Sequence, residues 1–443
     1  MKTIIKLIKK LLRKSKAKKN ALNNSYIIPR SQHHVSKTDI NPNALKVLNR
    51  LNSSGFQAYL VGGSVRDLLL RKSPKDFDVA TNATPTQIRS LFRNARIIGR
   101  RFKLAHILYY RDIIEVATFR GHEPEDDNQL TNDRGMLIRD NTFGTLEEDA
   151  WRRDFTINSL YYNLDDGSIV DFTGGVQDVN QRLIRMIGHP ATRYQEDPVR
   201  MLRAIRFSAK LHFDIAPETA EPLLELSPLI GHISGSRLFD EMIKLYQCGE
   251  GASVQNLLVK YGLFPHLFAQ TAALIQSKHP VNTFLLIALE STDTRIRDDK
   301  PVNPAFIYAV LLWFPLIVRA EALRKEGIEP LPALDQAMSQ VISEQNRVVT
   351  IPKRFTQVMR EIWLMQHRFS KRTGNRAYHL LEHPRFRAAY DFLALRALAG
   401  DESIELAEWW TTFQEASTSE QAEMIAIITA QTPKPKPKSN KRK

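Results

Sequence analysis

Residues 58–85 read AYLVGGSVRDLLLRKSPKDFDVATNATP, and this stretch constrains the fold more than any other. An apolar strand, Ala58 to Val61, runs into a Gly62-Gly63 turn and a helix, Val65 to Leu70. A polar loop then leads to a second strand opened by Asp76-Phe77-Asp78. Residues two apart on a strand face the same side, so Asp76 and Asp78 project together while Phe77 turns to the core. Two carboxylates that close repel each other unless a cation sits between them. Mg²⁺ suits that oxygen-rich setting, with nucleotide phosphates as further ligands. The glycines allow close backbone approach to a triphosphate, the helix N-terminus adds N–H donors, and Arg66 can reach the phosphates. Neither a P-loop nor a GxGxxG pattern occurs, so the commoner phosphate-binding folds are not supported.

Strand-like alternation continues in Ile107 to Tyr110 and Ile113 to Phe119 and fades after about residue 176. Helical periodicity then runs to about residue 430. The expected fold is α+β: a mixed-sheet head followed by an all-helical neck and body. The expected divisions are a basic arm and linker (1–37), a catalytic head (38–175), a neck carrying the base-reading helix (176–260), an RNA-binding body (261–430) and a basic tail (431–443). The apolar run Ala305 to Val318 is too short to span a bilayer and reads as a buried helix. Cys248 is the only cysteine, so no internal disulfide can form, which suits a reducing compartment.

A third carboxylate is expected beside Asp76 and Asp78. Glu115, on the strand Ile114-Glu115-Val116, and Asp154, in the run RRDFTIN, both qualify, and Asp154 between its arginines is favoured. Further on, Asp197, Arg200, Arg203 and Arg206 recur at spacing three, which predicts one polar helical stripe opposite Met201, Leu202, Ile205 and Phe207. A carboxylate accepting from an exocyclic amine, beside a guanidinium donating to the adjacent ring nitrogen, fits adenine and cytosine alike. Guanine and uracil would leave both protein groups mispaired, at roughly 1–3 kcal/mol each. The residues alone do not choose between adenine and cytosine.

The glycine turn followed by DxD resembles the DNA-polymerase-β-like nucleotidyltransferases. The order GGSVRD, DFD, RRDFTINSLYY, DFTGGVQD and EDPVRMLRAIRF resembles the class II tRNA nucleotidyltransferase and bacterial poly(A) polymerase family. The likeness extends through GRRFKLAH, EVATFRGH, TRIRDDKPVNPAF and LLEHPRFRAAYDFLALRA, and covers nearly all of residues 30–415. It implies that Gly62, Gly63 and Arg66 hold the triphosphate and that Asp76 and Asp78 bind Mg²⁺. Arg153 and Asp154 would contact phosphate and sugar and complete the acidic centre, with Asn158 on the sugar side. Gly174, Gly175 and Asp178 resemble the joint between head and neck, Asp197 and Arg200 the base-reading pair, and Arg203 and Arg206 further nucleotide contacts.

Within the family, residues 99–106 lack the GxxFGT form of CCA-adding relatives, and no His-Asp dipeptide marks a phosphohydrolase domain. The resemblance therefore implies a template-independent adenylyltransferase that uses ATP on RNA 3′ ends. The alternatives are CCA or A addition to tRNA, and a non-catalytic RNA-binding scaffold, which would have no use for the metal carboxylates. The expected reaction is in-line attack of an RNA 3′-hydroxyl on the α-phosphate with two Mg²⁺ ions. Arg100, Arg101, Lys103, Lys371, Arg372 and Arg376 are expected to hold the RNA backbone. The resemblance further implies coupling to RNA-decay machinery and to an Sm-like RNA chaperone, in the cytoplasm.

The net charge of +15 has an uneven source: residues 1–20 hold nine Lys/Arg and residues 434–443 hold six, with no acids in either segment. Removing those fifteen cations leaves 48 basic and 48 acidic groups. Such arms attract polyanions. Ile4, Ile8 and Leu11 share one face of a possible basic amphipathic helix, which suits contact with RNA or with an anionic inner membrane surface. The Pro/Lys tail is expected to be disordered.

Overall fold

The computed structural model describes residues 26–99, 103–110, 112–121, 143–275 and 280–431. The basic arm, Arg100, Arg101 and the tail lie outside the described residues. The chain divides into two compact units, Met1–Pro222 and Leu223–Lys443.

The first unit is built on an eight-stranded sheet in the order β1-β8-β7-β2-β3-β6-β5-β4. The strands are β1 (Ile27–Ile28), β2 (Ala58–Val61), β3 (Asp78–Thr81), β4 (Ala95–Ile98), β5 (Leu104–Tyr109), β6 (Asp112–Thr118), β7 (Tyr161–Asn163) and β8 (Ile169–Val170). β2 pairs antiparallel with β3, and β3 pairs parallel with β6, placing Val79 opposite Val116. The expected mixed sheet is present, and the motif at 58–85 falls on its central strands. Leu60, Val79 and Val116 are fully buried, which anchors these strands in the core.

Two expectations need correction here. Residues 26–37, expected within a linker, include β1, which adds an edge to β8 through Ile27 opposite Val170 and Ile28 opposite Ile169. Tyr26 rests on Phe172 with ring centroids 5.2 Å apart, and Val35 is buried. Two strand residues were too few to show a period. The boundary between head and neck also moves, because the segment 176–222, expected to begin the neck, packs into the same unit as the sheet. The reason is local: Phe207 meets Phe155 edge-on at 5.7 Å, and Arg203 pairs with Asp154.

Among its described residues the second unit is helical apart from its connections, as its periodicity predicts. The apolar run at 305–318 forms a buried helix, Pro304–Leu311, and the buried first turn of a second, Trp313–Lys325, which is exposed from Val318 onward along one face; the two are bent by 51° at the break. Pro315 lies in the first turn of the second helix, where it removes no helical hydrogen bond, so the break falls at Leu312 instead. Among the described residues no single helix is long and apolar enough to cross a membrane.

Candidate active site

The turn after β2 sets the site. Gly62 has φ +75°, which favours glycine, and caps the helix Gly63–Leu69. A methyl group on Gly62 would meet Arg153 Nη1 at 3.7 Å, an ordinary contact, so the positive φ and not crowding calls for glycine here. Asp78 opens β3, with Asp76 in the loop before it and Phe77 buried between them, as the DFD pattern predicts. Burial raises the Asp78 pKa to about 6, helped by the charges of Glu115 and Asp76 and opposed by Arg153. A carboxylate disfavoured in this way gains from a cation beside it.

The cavity next to these carboxylates measures about 450 Å³ and is lined by Gly62, Gly63, Arg66, Asp76, Asp78, Arg153, Asp154, Asn158, Arg203 and Arg206, among others. Arg66, Lys72, Lys75, Arg153, Arg203, Arg206 and Lys210 face it, against the carboxylates of Asp67, Asp76, Asp78 and Asp154. Seven cations against four anions suit a polyphosphate. A larger cleft of about 810 Å³ shares Lys72 and Ser73 with this cavity but contains neither carboxylate of the DFD pair.

Neither site acid weighed as the third carboxylate behaves like the other. Asp154 is already committed: Oδ1 accepts from the Phe155 amide at 2.8 Å and from Asn158 Nδ2 at 3.3 Å, while Oδ2 accepts from Arg203 Nε at 2.6 Å. Burial alone would raise its pKa, but Arg203 and these hydrogen bonds hold it below the ordinary carboxylate value. Glu115 precedes Val116 on β6 and stands level with Asp78 on the adjoining strand. Its carboxylate meets His106 Nε2 at 3.2 Å and is about half exposed.

Arg66 donates to Asn158 Oδ1 at 2.6 Å and to Asp67 Oδ1 from both Nε and Nη2. A continuous chain thus runs Asp67–Arg66–Asn158–Asp154–Arg203. Arg66, Arg203 and Arg206 place their guanidiniums over the Phe207 ring at 5.5, 5.3 and 4.7 Å. Phe207, expected on the apolar face of its helix, is buried against Phe155 and also lines the cavity beneath these cations.

Residues that the sequence did not single out fix this geometry. Asp149 is buried, and its Oδ2 accepts from Arg153 Nη2 at 2.9 Å and Tyr161 Oη at 2.7 Å. Its Oδ1 accepts from Arg152 Nε at 3.0 Å and the Arg120 amide at 3.1 Å. Burial opposes ionisation, but Arg153, Arg152 and the Tyr161 hydroxyl win and keep Asp149 charged into strong acid. Arg193 Nη2 donates to the carbonyls of Arg152 and Arg153 at 2.6 and 2.7 Å, and Arg193 also pairs with Glu196. Glu196 in turn holds Arg200 Nη1 at 2.8 Å. Glu196 and Arg200 are four apart in sequence but on either side of a helix break, so their pair is not a helical i,i+4 contact.

The expected stripe on one helix is partly redrawn. Arg200, Arg203 and Arg206 lie on the helix Val199–Leu211, but Asp197 precedes it in extended backbone, with φ −147°. Pro198 explains this, since the residue before proline is driven from the helical region. Asp197 and Arg200 lie outside the lining of this cavity, at the start of the helix whose Arg203 and Arg206 face it. Asp178 is buried, accepting from Thr156 Oγ1 at 2.6 Å and from Arg185 Nε at 3.1 Å, a fixed joint beside Gly174 and Gly175.

Comparison with known proteins places this geometry. Residues 58–185 match the family described as the poly A polymerase head domain, 212–275 the probable RNA and SrmB-binding site of polymerase A, and 326–443 the polymerase A arginine-rich C-terminus. The chain is 52% identical over 408 residues to poly(A) polymerase I of Salmonella typhimurium, covering 90% of this chain and 88% of that one. It belongs to the poly(A) polymerase family. A CCA-adding enzyme of Bacillus subtilis is 36% identical over 224 residues, which is 51% of this chain and 55% of that enzyme. In fold, the chain is similar to a CCA-adding enzyme solved in apo form II, with a TM-score of 0.60 over 92% of this chain and all of that one at 18% identity. Poly(A) polymerases and CCA-adding enzymes thus share the fold, while high identity over nearly the whole chain is found with the poly(A) polymerases.

Proposed function

We propose that this enzyme transfers AMP from ATP to RNA 3′ ends without a template, building poly(A). One observation carries the reading: identity to a poly(A) polymerase I continues across 90% of the chain, whereas likeness to the Bacillus CCA-adding enzyme stops at about half. The non-catalytic scaffold is disfavoured by the seven cations and four carboxylates gathered in one cavity.

Mg²⁺ fits the donor set, because Asp76 and Asp78 are hard oxygen ligands and Asp78 is destabilised as an anion by burial and by Glu115. Among the described residues no three metal-ligating side chains are already gathered, so a third carboxylate would have to close on the ion and nucleotide phosphates would complete the set. Bound there, the ion supplies Lewis-acid stabilisation of developing charge on oxygen. We assign the third carboxylate to Glu115 rather than Asp154, whose oxygens are occupied by Arg203, Asn158 and the Phe155 amide. Arg153, Arg206, Lys72 and Lys75 bind and orient the triphosphate. The ribose side meets Asn158 and Asp154, held rigid through Arg66 and Arg203. The RNA O3′ bonds to the α-phosphorus, the bond to pyrophosphate breaks, and the hydroxyl proton is released. Asp197 and Arg200 read the base, with Glu196 fixing the guanidinium.

The family description of residues 212–275 supports RNA contact, and Lys103 extends the basic surface of the head. Coupling to RNA-decay machinery and an Sm-like RNA chaperone, action in the cytoplasm and contact of the N-terminal arm with anionic lipid belong to the same proposal. The test is a tRNA acceptor lacking CCA, supplied with CTP and ATP. The reading expects repeated AMP addition; addition that stops after CCA would replace it with the tRNA-repair activity.

A further inference from the structure

The turn 371–376, Lys-Arg-Thr-Gly-Asn-Arg, lies in the second unit between the helices Lys353–Phe369 and Arg376–Leu381. Gly374 takes φ +60° to make it. Several arginines of this unit have acids: Arg360 pairs with Asp335, Arg385 with Glu361, Arg387 with Asp391 and Arg396 with Asp401. Among the described residues, Lys371, Arg372 and Arg376 have neither an ion pair nor a side-chain hydrogen bond. Arg372 lies with its guanidinium 5.1 Å from the Trp409 ring, which itself stacks on Phe413 at 4.6 Å and 13°. Its Nε is shielded from solvent and has no partner. Burial, then the charges of Lys371 and Arg324, lowers the proton affinity of the neighbouring His367, as crowded positive charge requires.

A guanidinium held over an indole has less orientational freedom than one in open solvent, and its remaining N–H groups can receive a phosphate. We propose that Lys371, Arg372 and Arg376 form a clamp for the phosphodiester backbone of single-stranded RNA, with Trp409 and Phe413 as the rigid support for Arg372. The clamp reads charge and spacing but no base, as suits a substrate whose sequence varies. It deepens the reading of this chain as an RNA-extending enzyme and rests on it.

The test is fluorescence-anisotropy binding of a labelled unstructured oligoribonucleotide to the full-length protein, without ATP, from 50 to 200 mM salt. The variant K371Q/R372Q/R376Q is compared with K325Q/K353Q/R354Q, which removes the same charge from exposed positions of the same unit. Single-stranded binding loses about 0.7 of log-log salt slope per phosphate contact, so three lost contacts remove a slope of about 2. The affinity advantage of wild type over the clamp variant should therefore shrink roughly 20-fold across that salt range, while the control variant tracks wild type. R372K keeps the charge but not the flat fork and should still weaken binding roughly two- to fivefold. In the clamp variant the KM for RNA should rise while the KM for ATP does not. A clamp variant that folds with unchanged melting temperature and keeps the wild-type salt slope overturns the proposal. So does a variant that binds RNA normally but loses binding to vesicles of anionic phospholipid, which would assign the turn to a membrane. Absence of tail synthesis by the wild type would refute the enzymatic reading but leave this binding result readable.

Discussion

Asp149→Asn should be among the most damaging single-atom changes available in the first unit, although Asp149 does not line the active-site cavity. The carboxylate is 1% exposed and accepts from two guanidiniums, one hydroxyl and one backbone amide. An amide there loses the charge and points N–H groups at a wall of donors whichever way it turns. Removing one partner of a buried pair costs about 3–5 kcal/mol. For a unit of this size each kcal/mol lowers Tm by about 2–4 °C, so a loss of about 10 °C is expected for this unit. Tyr161→Phe removes one hydrogen bond and no charge, and should cost only about 1 kcal/mol. The pH dependence follows from the sign of the shift. Asp149 has a depressed pKa when folded, so its stabilisation is present above the ordinary carboxylate value and is lost only as pH falls through the lower folded value. The gap between wild type and Asp149→Asn should therefore be constant from neutral pH down to mild acid. Because Arg153 loses its anchor, KM for ATP should rise more than kcat falls. Calorimetry and steady-state kinetics decide the matter. An Asn variant that melts within 2 °C of wild type, taken as roughly 1 kcal/mol or less, with an unchanged KM for ATP would refute the argument.

Glu115→Gln should abolish AMP transfer with Tm unchanged or slightly raised, since it relieves repulsion on Asp78, whereas Asp154→Asn should lower Tm and raise KM for ATP; activity assays giving the reverse order would restore Asp154 as the third carboxylate. Gly175→Ala should lower Tm by about 5 °C at the roughly 1–3 kcal/mol typical of overpacking, because the added methyl collides with the Thr156 carbonyl and meets Leu160 Cδ2 at 3.0 Å; an unshifted melt would show that this joint yields. Deleting residues 1–20 and 434–443 removes the whole net charge, so the KM for RNA should rise and its salt dependence flatten while kcat at saturating RNA holds; a salt slope that survives deletion would leave the arms a solubilising role.

The local parts of this site were legible before the fold. A strand, a glycine pair, a short helix and DFD dictate one another over 28 residues, and the turn, the helix and the buried Phe77 all followed. Pairings distant in sequence were not legible. The flanking arginines favour Asp154 over Glu115 in the sequence, whereas in the fold the parallel pairing of β3 with β6 sets Glu115 level with Asp78 and Arg203 occupies Asp154. The interaction of Arg193 with the carbonyls of Arg152 and Arg153 links residues 40 and 41 apart through backbone acceptors, which leave no mark in a sequence. Asp197 could have been placed correctly, since Pro198 marks the break, but its spacing of three from Arg200 suggested one continuous helix. Phe207 was assigned to the core because its type is apolar, yet three guanidiniums make its ring face part of the cavity.

The most direct measurement is the length of product made from a short unstructured RNA primer with Mg²⁺ and each nucleoside triphosphate in turn, wild type beside Asp78→Asn. The account predicts long tails from ATP, little product from GTP or UTP, and no extension by a variant that melts like wild type. Extension by Asp78→Asn at the wild-type rate, or wild-type tails made equally well from GTP, would contradict it.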